Sequence, residues 1–515
     1  MTTSAYSLRT LYDEREFERA YKAADFDRCR ELVTSPTSHA AVLAAAKLGL
    51  RERRYVEVVG SLSSLAPSSD AVGASRDVLL GAALGLTRDF TGGNRLIERA
   101  LNVLAAPDPW YYEALHYRAL IAWMRQENGN AERDAAAELT SPDGNTRARA
   151  RILLSWIAVR SGEILRQVDE LQKALDEFDT VELPDQYHRA NALFNLAVLC
   201  RELPLAEVGD RVRHIADELP WNTGLQLEQF HVTRLLAAMD ELNGNELGAF
   251  AGFRKATRLA PSQHWGVLCL LHRALLAKNT GELAFASEQL QEAHEIAQRI
   301  SWNEATGEER SALLVLAELF AYDDPAVAEQ YLARFRTLAS SVIPILAYAT
   351  DPRVKGFESY SQGVAWLRIG DVDEGKAALT EAWSIFDDFN YDWRAALCAL
   401  ALYDITSDRR WITRAARKID PWPQSWIARQ VRESTSTTPV RLDRIPPARR
   451  QVLDLVRAGR RNSEIATALG RSPNTVRNQL SQLFQTFNVK SRSELVAALS
   501  KPVVPLALVQ GRRIH

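Results

Sequence analysis

Over the first 430 residues, apolar positions recur three and four apart, the period of an amphipathic helix, and the two-residue alternation of a strand is missing. Turn residues break this pattern near Arg53, Thr91, Gly129, Gly162, Glu202, Gly244, Gly281, Asp323, Gly370 and Ser407, mostly about forty residues apart. That spacing predicts stacked helix pairs, each unable to bury its apolar face without a neighbour. Four units share a register. Gly162 leads to Gln167, Leu171 and Ala174; Gly244 to Ala249, Phe253 and Ala256; Gly281 to Ala286, Leu290 and Ala293; Gly370 to Gly375, Leu379 and Ala382. The glycine fits an inter-helix turn, small residues let two helix axes approach, and the larger apolar residue fills the groove between them. Trp411, Trp422 and Trp426, around the Pro421 and Pro423 break, are expected to seal the far end.

The last seventy residues carry a different pattern. Two short helical segments flank Gly470. The second opens with Ser472, whose hydroxyl can take a free backbone N–H, followed by Pro473, which fits the first helical position. Val476, Leu480, Leu483 and Phe487 fall on one face, so Asn474, Arg477, Asn478, Ser481 and Gln482 point outward. Ile465, Ala466 and Leu469 give the preceding helix a matching face; Val452, Leu453, Leu455 and Val456 form a helix that Gly459 closes; Ser491 and Glu494 form a capping box for a fourth. Arginine can bond guanine edges in pairs, and Asn or Gln can do the same with adenine, so the outward row suits base readout.

Charge sharpens the division. The chain holds 63 basic and 65 acidic residues, a net charge of −2. Residues 444–515 contain thirteen Lys and Arg against three acids, or +10, which leaves −12 on the remainder. A basic module on an acidic body is the electrostatic footprint of a DNA binder. Arg460, Arg461, Arg471, Lys490 and Arg492 are the candidate phosphate contacts.

The block from Ile445 to about Leu499 resembles the LuxR-type helix-turn-helix domain of bacterial transcription regulators. The resemblance rests on Val452-Leu453, Gly459, Asn462, Glu464-Ile465-Ala466, Leu469, Ser472, Thr475-Val476-Arg477, Leu480, Leu483, Val489 and Ser491 to Glu494. It implies a four-helix domain whose third helix reads double-stranded DNA, contacts from Thr475, Arg477, Asn478 and Gln479, and pairing of two domains through the fourth helix. Three departures stand out: Arg449 replaces the usual acid, Gln479 a common His, and Thr486 a common Lys. They motivate an alternative, a scaffold or adaptor whose helix-turn-helix has lost DNA binding. The four clear upstream units resemble the tetratricopeptide repeat, with an armadillo-like or irregular solenoid as the other option. The fold expected is all-α: a tetratricopeptide-like α-solenoid over 1–432, a flexible linker over 433–442, a LuxR-type domain over 443–501 and a tail over 502–515.

Catalytic chemistry finds no support. The sequence has neither a phosphate-cradling G-x-x-x-x-G-K-[ST] loop nor an H-E-x-x-H pair, and no cofactor is expected. Cys29, Cys200, Cys269 and Cys398 lie far apart in apolar surroundings, as buried thiols do in a reducing cytoplasm. The first residues lack the basic and apolar regions of a signal peptide, and no apolar run of about twenty occurs. The expectation is a bacterial cytoplasmic homodimer, nucleoid-associated when on DNA and not on a membrane, which takes a peptide, small molecule or protein on its repeats. Asn191 and Asn195, one helical turn apart and near Tyr187 and His188, are the candidate clamp for an extended peptide backbone.

Overall fold

The computed structural model describes residues 12–34, 36, 38–65, 70–303, 305, 307–321, 324–340, 352–436, 447–457, 460–486, 489, 491–492 and 495. The regular elements among them are all helical. They fall into two compact units. The first holds the helices from Glu14–Lys22 to Leu283–Arg299, and the second those from Gly307–Phe320 to Pro473–Thr486. The division after Ser301 lies inside the span read as one repeat region.

In the first unit consecutive helices pair, and the second helices of the pairs begin at Phe26, Tyr55, Phe90, Asn128, Ile164, Ala206, Glu246 and Leu283. Most pairs turn in the same way. One residue takes a left-handed conformation, and the next amide reaches five residues back to a carbonyl of the last helical turn. At Gly162 (φ +77°) the Glu163 amide bonds the Ala158 carbonyl at 2.8 Å; at Gly244 (φ +77°) the Asn245 amide bonds Asp240 at 2.8 Å. Gly281 follows the same geometry, as does Gly370 in the second unit. So do four residues that are not glycine: Ala24, Arg53, Arg88 and Gln126. The turns expected near Thr91 and Gly129 therefore sit a few residues earlier, at Arg88 and Gln126; Thr91 and Gly129 lie inside the helices Phe90–Leu101 and Asn128–Glu138. Glu202 ends its helix on an extended Leu203 instead, and Asp323 lies outside the described residues.

Counting from the left-handed residue extends the register to pairs where it was not legible. The fifth residue onward is Cys29, Val58, Gly93 and Ala131, and the ninth is Val33, Leu62, Ile97 and Ala135, all buried. Small residues at these crossings are obligatory in places. A Cβ on Gly93 would stand 2.6 Å from the Gly81 carbonyl oxygen, and one on Gly375 would meet Leu367 at 2.6 Å and the Gly363 carbonyl at 2.9 Å. At the twelfth position, where Ala174, Ala256, Ala293 and Ala382 are buried, one pair instead carries Glu138, fully buried. Arg149 makes this tolerable: it contacts Glu138 and Glu113, each at 2.7 Å, while the His116 Nδ1 lies 3.1 Å from Glu138. Burial would raise the Glu113 carboxyl, but Arg149 and Lys47 together hold it down at about 2.

Contacts between distant parts of the chain tie the beginning of the first unit to its middle. Arg51 forms a two-pronged ion pair with Asp185 at 3.1 and 3.2 Å. The Asn222 amide donates to the Ala23 carbonyl at 2.9 Å, and Thr223 donates to Asp27 at 2.9 Å. Gly224 is needed there, since a Cβ would stand 2.0 Å from the Ala24 carbonyl oxygen.

In the second unit Gly307–Phe320 pairs with Pro325–Ser340, Pro352–Ile369 with Val372–Asp388, and Asp392–Thr406 with Arg409–Ile419. The helix Trp426–Ser436 packs on the last pair. Trp422 is buried, and Trp411 lies edge-on to Trp383 with centroids 5.3 Å apart. The segment read as a linker from residue 433 is helical through Ser436, because Val431 is buried and anchors the helix through this polar end. Residues 437–442 of that linker and the tail lie outside the described residues. All four cysteines are buried and unbridged. Burial pushes the Cys29, Cys200 and Cys269 thiols up to about 12. Among the described residues no helix is long and apolar enough to cross a membrane.

Candidate nucleic-acid interface

Three helices, Pro447–Arg457, Asn462–Ala468 and Pro473–Thr486, enclose a small apolar core. It consists of Val452, Leu453, Val456, Ile465, Ala466, Val476, Leu480, Leu483 and Leu495, with Leu455, Leu469, Phe484 and Val489 against it. Leu495 arrives one turn after Ser491, whose carbonyl takes its amide at 2.9 Å. Glu494 of the expected capping box, Gly459 and Phe487 lie outside the described residues.

The turn between the second and third helices is set by backbone chemistry. Gly470 is left-handed (φ +62°). Its amide bonds the Thr467 carbonyl at 3.3 Å and the Arg471 amide bonds Ala466 at 2.9 Å, which satisfies two terminal carbonyls of the second helix. The Ser472 hydroxyl accepts the Thr475 amide at 3.1 Å and lies 2.8 Å from the Thr475 hydroxyl. Glu464 reaches back to the Arg461 amide at 2.6 Å and caps the second helix.

With Val476, Leu480 and Leu483 turned inward, Asn474, Thr475, Arg477, Asn478, Ser481 and Gln482 are exposed in one row on the third helix. Ser472, Arg460 and Arg461 are also exposed. Gln479 is half-buried on the flank of the row, and accepts a hydrogen bond from the Arg471 guanidinium at 2.8 Å. Arg492, expected to meet phosphate, donates to the Asn462 side-chain oxygen at 3.0 Å and to the Arg460 carbonyl, and so ties the end of the domain to the second helix. Lys490 lies outside the described residues. Their charge alone makes Arg471 and Arg492 candidate phosphate contacts. Nothing in the local sequence showed that they bond Gln479 and Asn462, eight and thirty residues away.

The second candidate site lies in the first unit, on the helix Gln186–Glu202. Tyr187 and His188 face inward partners here. The Arg51 guanidinium lies 4.4 Å from the Tyr187 ring centre, and the His188 Nδ1 is 3.1 Å from Asp185. Burial is the main force holding His188 neutral and lowers it to about 4, against the pull of Asp185. Burial alone would raise Asp185, but Arg51 and His188 hold it well below the usual carboxylate range. The Asn195 amide donates to the Asn191 carbonyl at 2.8 Å and to its side-chain oxygen at 3.1 Å. The two asparagines are thus together as their spacing implies, though bonded to each other, while Tyr187 and His188 belong to the junction with Arg51. A cavity of about 250 Å³ opens beside that junction, lined by Phe26, Arg51, Arg53, Tyr187, Leu227 and Glu228, among others. Among the described residues no cluster of His, Cys, Asp or Glu could hold a metal ion.

Solved structures that resemble the chain over most of its length include three of low likeness. They are the apo form of RapI (12% identity, 81% of this chain and 99% of that one, TM-score 0.36), the hetero-tetramer Cut9-Hcn1 of the APC/C (12%, 81% and 95%, 0.26) and yeast Tom70 (13%, 77% and 95%, 0.28). At these values they carry no inference about ligand or partner. No curated protein sequence matches the chain. Residues 448–499, which hold the three helices and the exposed row, match the family model of bacterial regulatory proteins, luxR family (GerE): the chain carries a LuxR-type helix-turn-helix domain.

Proposed function

We propose that this chain is a transcription regulator, not an enzyme, that binds double-stranded DNA in a sequence-specific way through the helix Pro473–Thr486. The observation that carries this reading is the row Asn474, Thr475, Arg477, Asn478, Ser481 and Gln482, exposed on a helix whose opposite face is core. Such a row, presented at a helix start by a braced turn, has the donors and acceptors that base edges require. Arg460 and Arg461, exposed at the start of the second helix, would add phosphate contacts.

The helical pairs supply the input: a peptide, small molecule or protein held on the repeats, or the pairing of two chains in the cytoplasm. Paired repeats leave extended surfaces that suit such contacts. A homodimer would place two reading helices on a two-fold DNA site.

Titrating the full chain with random-sequence and genomic DNA over a range of salt tests the reading. A regulator shows a steep fall of affinity with salt and a specific component that survives it. Loss of that component on substituting both Arg477 and Asn478 by Ala is expected. If both substitutions leave specific binding intact, the reading helix is misassigned; if no specific component exists, the chain is an adaptor.

A further inference from the structure

The contact between Arg471 and Gln479 has no role so far. Arg471 lies in the turn, its backbone amide fixed on the Ala466 carbonyl at 2.9 Å. Its Nη1 donates to the Gln479 Oε1 at 2.8 Å, and both side chains are half-buried. The guanidinium carries five donors and no acceptor, so only the oxygen of the amide can face it. That settles the amide orientation on chemical grounds: the Gln479 NH2 points away from the turn. Gln479 lies one helical turn after Thr475 and three residues before Gln482, both exposed, on the flank of the reading row.

We propose that Arg471 is a positioning residue that fixes the Gln479 amide as a hydrogen-bond donor toward an acceptor on bound DNA. This rests on the assignment of Pro473–Thr486 as the reading helix. A free glutamine turns either way and can read adenine with its oxygen and nitrogen together. A glutamine whose oxygen is held by Arg471 offers N–H: to guanine N7 or O6, to thymine O4, to adenine N7, or to a phosphate oxygen. The same contact keeps Arg471 itself from swinging out freely as a phosphate ligand, the part its charge first implies. It also orders the Gln479 side chain before DNA arrives, so less freedom is lost on binding.

The test uses the full chain and the best duplex selected from a randomised library. Affinity is measured for Arg471→Ala, Gln479→Ala, the double variant, Arg471→Lys and Gln479→Glu, with thermal unfolding as the control for folding. Each alanine variant is expected to lose about tenfold in affinity, and the double variant no more than the weaker-binding single. Where the acceptor is a base, Arg471→Ala also relaxes the base preference at the position Gln479 meets, which a purely structural role would not do, and Arg471→Lys restores part of it. Gln479→Glu keeps the partner for Arg471 and the fold but removes the N–H, and is expected to lose at least as much as Gln479→Ala. Replacing guanine N7 by carbon in the duplex, or a phosphate by methylphosphonate, tells a base acceptor from a backbone one.

Independent, multiplying losses overturn the proposal, especially if Arg471→Ala lowers the salt slope by about one in the Gln479→Ala background, as a direct phosphate contact would. Unchanged affinity in Gln479→Glu overturns it as well. If Arg471→Ala and Gln479→Ala behave as independent sites while specific binding and its loss in Arg477→Ala persist, this inference alone fails. If the unsubstituted chain shows no specific binding, the reading helix fails with it.

Discussion

The arginines of the repeat pairs and those of the C-terminal domain are the same side chain put to opposite uses. In the first unit they are spent on internal carboxylates. Arg51 meets Asp185, Arg118 meets Asp134, Arg147 meets Glu177, and Arg149 bridges Glu113 and Glu138. In the C-terminal domain Arg460, Arg461 and Arg477 are exposed, while Arg471 and Arg492 bond the neutral side chains of Gln479 and Asn462. A neutral partner orients a guanidinium without cancelling its charge. The overall balance of −2 thus averages an array in which many arginines meet carboxylates and a domain that leaves Arg460, Arg461 and Arg477 exposed to an outside anion.

The sharpest way to break this contrast is to remove one arginine from each side. Arg149→Ala strands the buried Glu138 and the half-buried Glu113, and a broken buried pair costs about 3–5 kcal/mol. Urea unfolding should show that loss as a lower midpoint. The double variant Arg149→Ala with Glu138→Ala, which puts the repeat's usual residue back at that position, should recover part of it. A loss under about 0.5 kcal/mol for Arg149→Ala would mean that the pairs are surface decoration.

Acid separates the two regions next. His188 has its folded value lowered from 6.5 to about 4, so the folded state favours the neutral ring. The stability this represents is present above pH 6.5 and is lost as pH falls from 6.5 towards 4. Glu113, held at about 2, adds a second loss only below about pH 4.5. Between pH 6.5 and 4.5 the unfolding free energy of the array should therefore fall, by about 2 kcal/mol from His188. His188→Asn keeps a donor for Asp185 without the titration, and should reduce the slope. His272, which burial lowers further, from 6.5 to about 3, contributes a fall at least as large over the same range, so His188→Asn should remove about half of the slope. Chemical denaturation at several pH values, read from array tryptophans, checks it. A slope unchanged by His188→Asn would count against the buried junction.

On the other side of the contrast, Arg477→Ala should leave unfolding within about 0.5 kcal/mol of the parent, because the side chain is exposed. Specific DNA affinity should fall by about 1–3 kcal/mol. A loss of stability together with unaltered binding would erase the distinction between the two sets of arginines.

These regions also differ in how much of them could be read in advance. The C-terminal domain was legible because its signals are local: Ser472 and Pro473 open a helix, Gly470 closes one, and Val476, Leu480 and Leu483 fix the buried face and hence the exposed row. Its turn-crossing bond between Arg471 and Gln479 was not legible, since it depends on the path between two helices. The array was legible only where the left-handed turn residue was glycine. Arg53, Arg88 and Gln126 take the same conformation, but nothing in their chemistry announces it. The pairing of Arg51 with Asp185 and of Asn222 with Ala23 spans over a hundred residues and has no periodic signature. For the same reason Tyr187 and His188, singled out as ligand contacts, could not be recognised as neighbours of Arg51.

That hidden regularity supplies the smallest and most discriminating prediction. A residue other than glycine in the left-handed region costs about 1 kcal/mol, since its Cβ approaches the following carbonyl. Glycine also has more freedom to lose on folding, which offsets part of the gain. Gln126→Gly is therefore expected to stabilise the array by a few tenths up to about 1 kcal/mol. Gly162→Ala, at the matching position one pair later, should destabilise it by about 1 kcal/mol. No atom lies within 4 Å of a Cβ built on Gly162, so crowding would contribute nothing and the backbone alone is tested. Opposite signs from the two substitutions, read as shifts of the urea midpoint, would show one turn geometry written with two different residues. Equal signs would mean that Gln126 owes its conformation to something other than the shared turn, and the register counted from it would lose its basis.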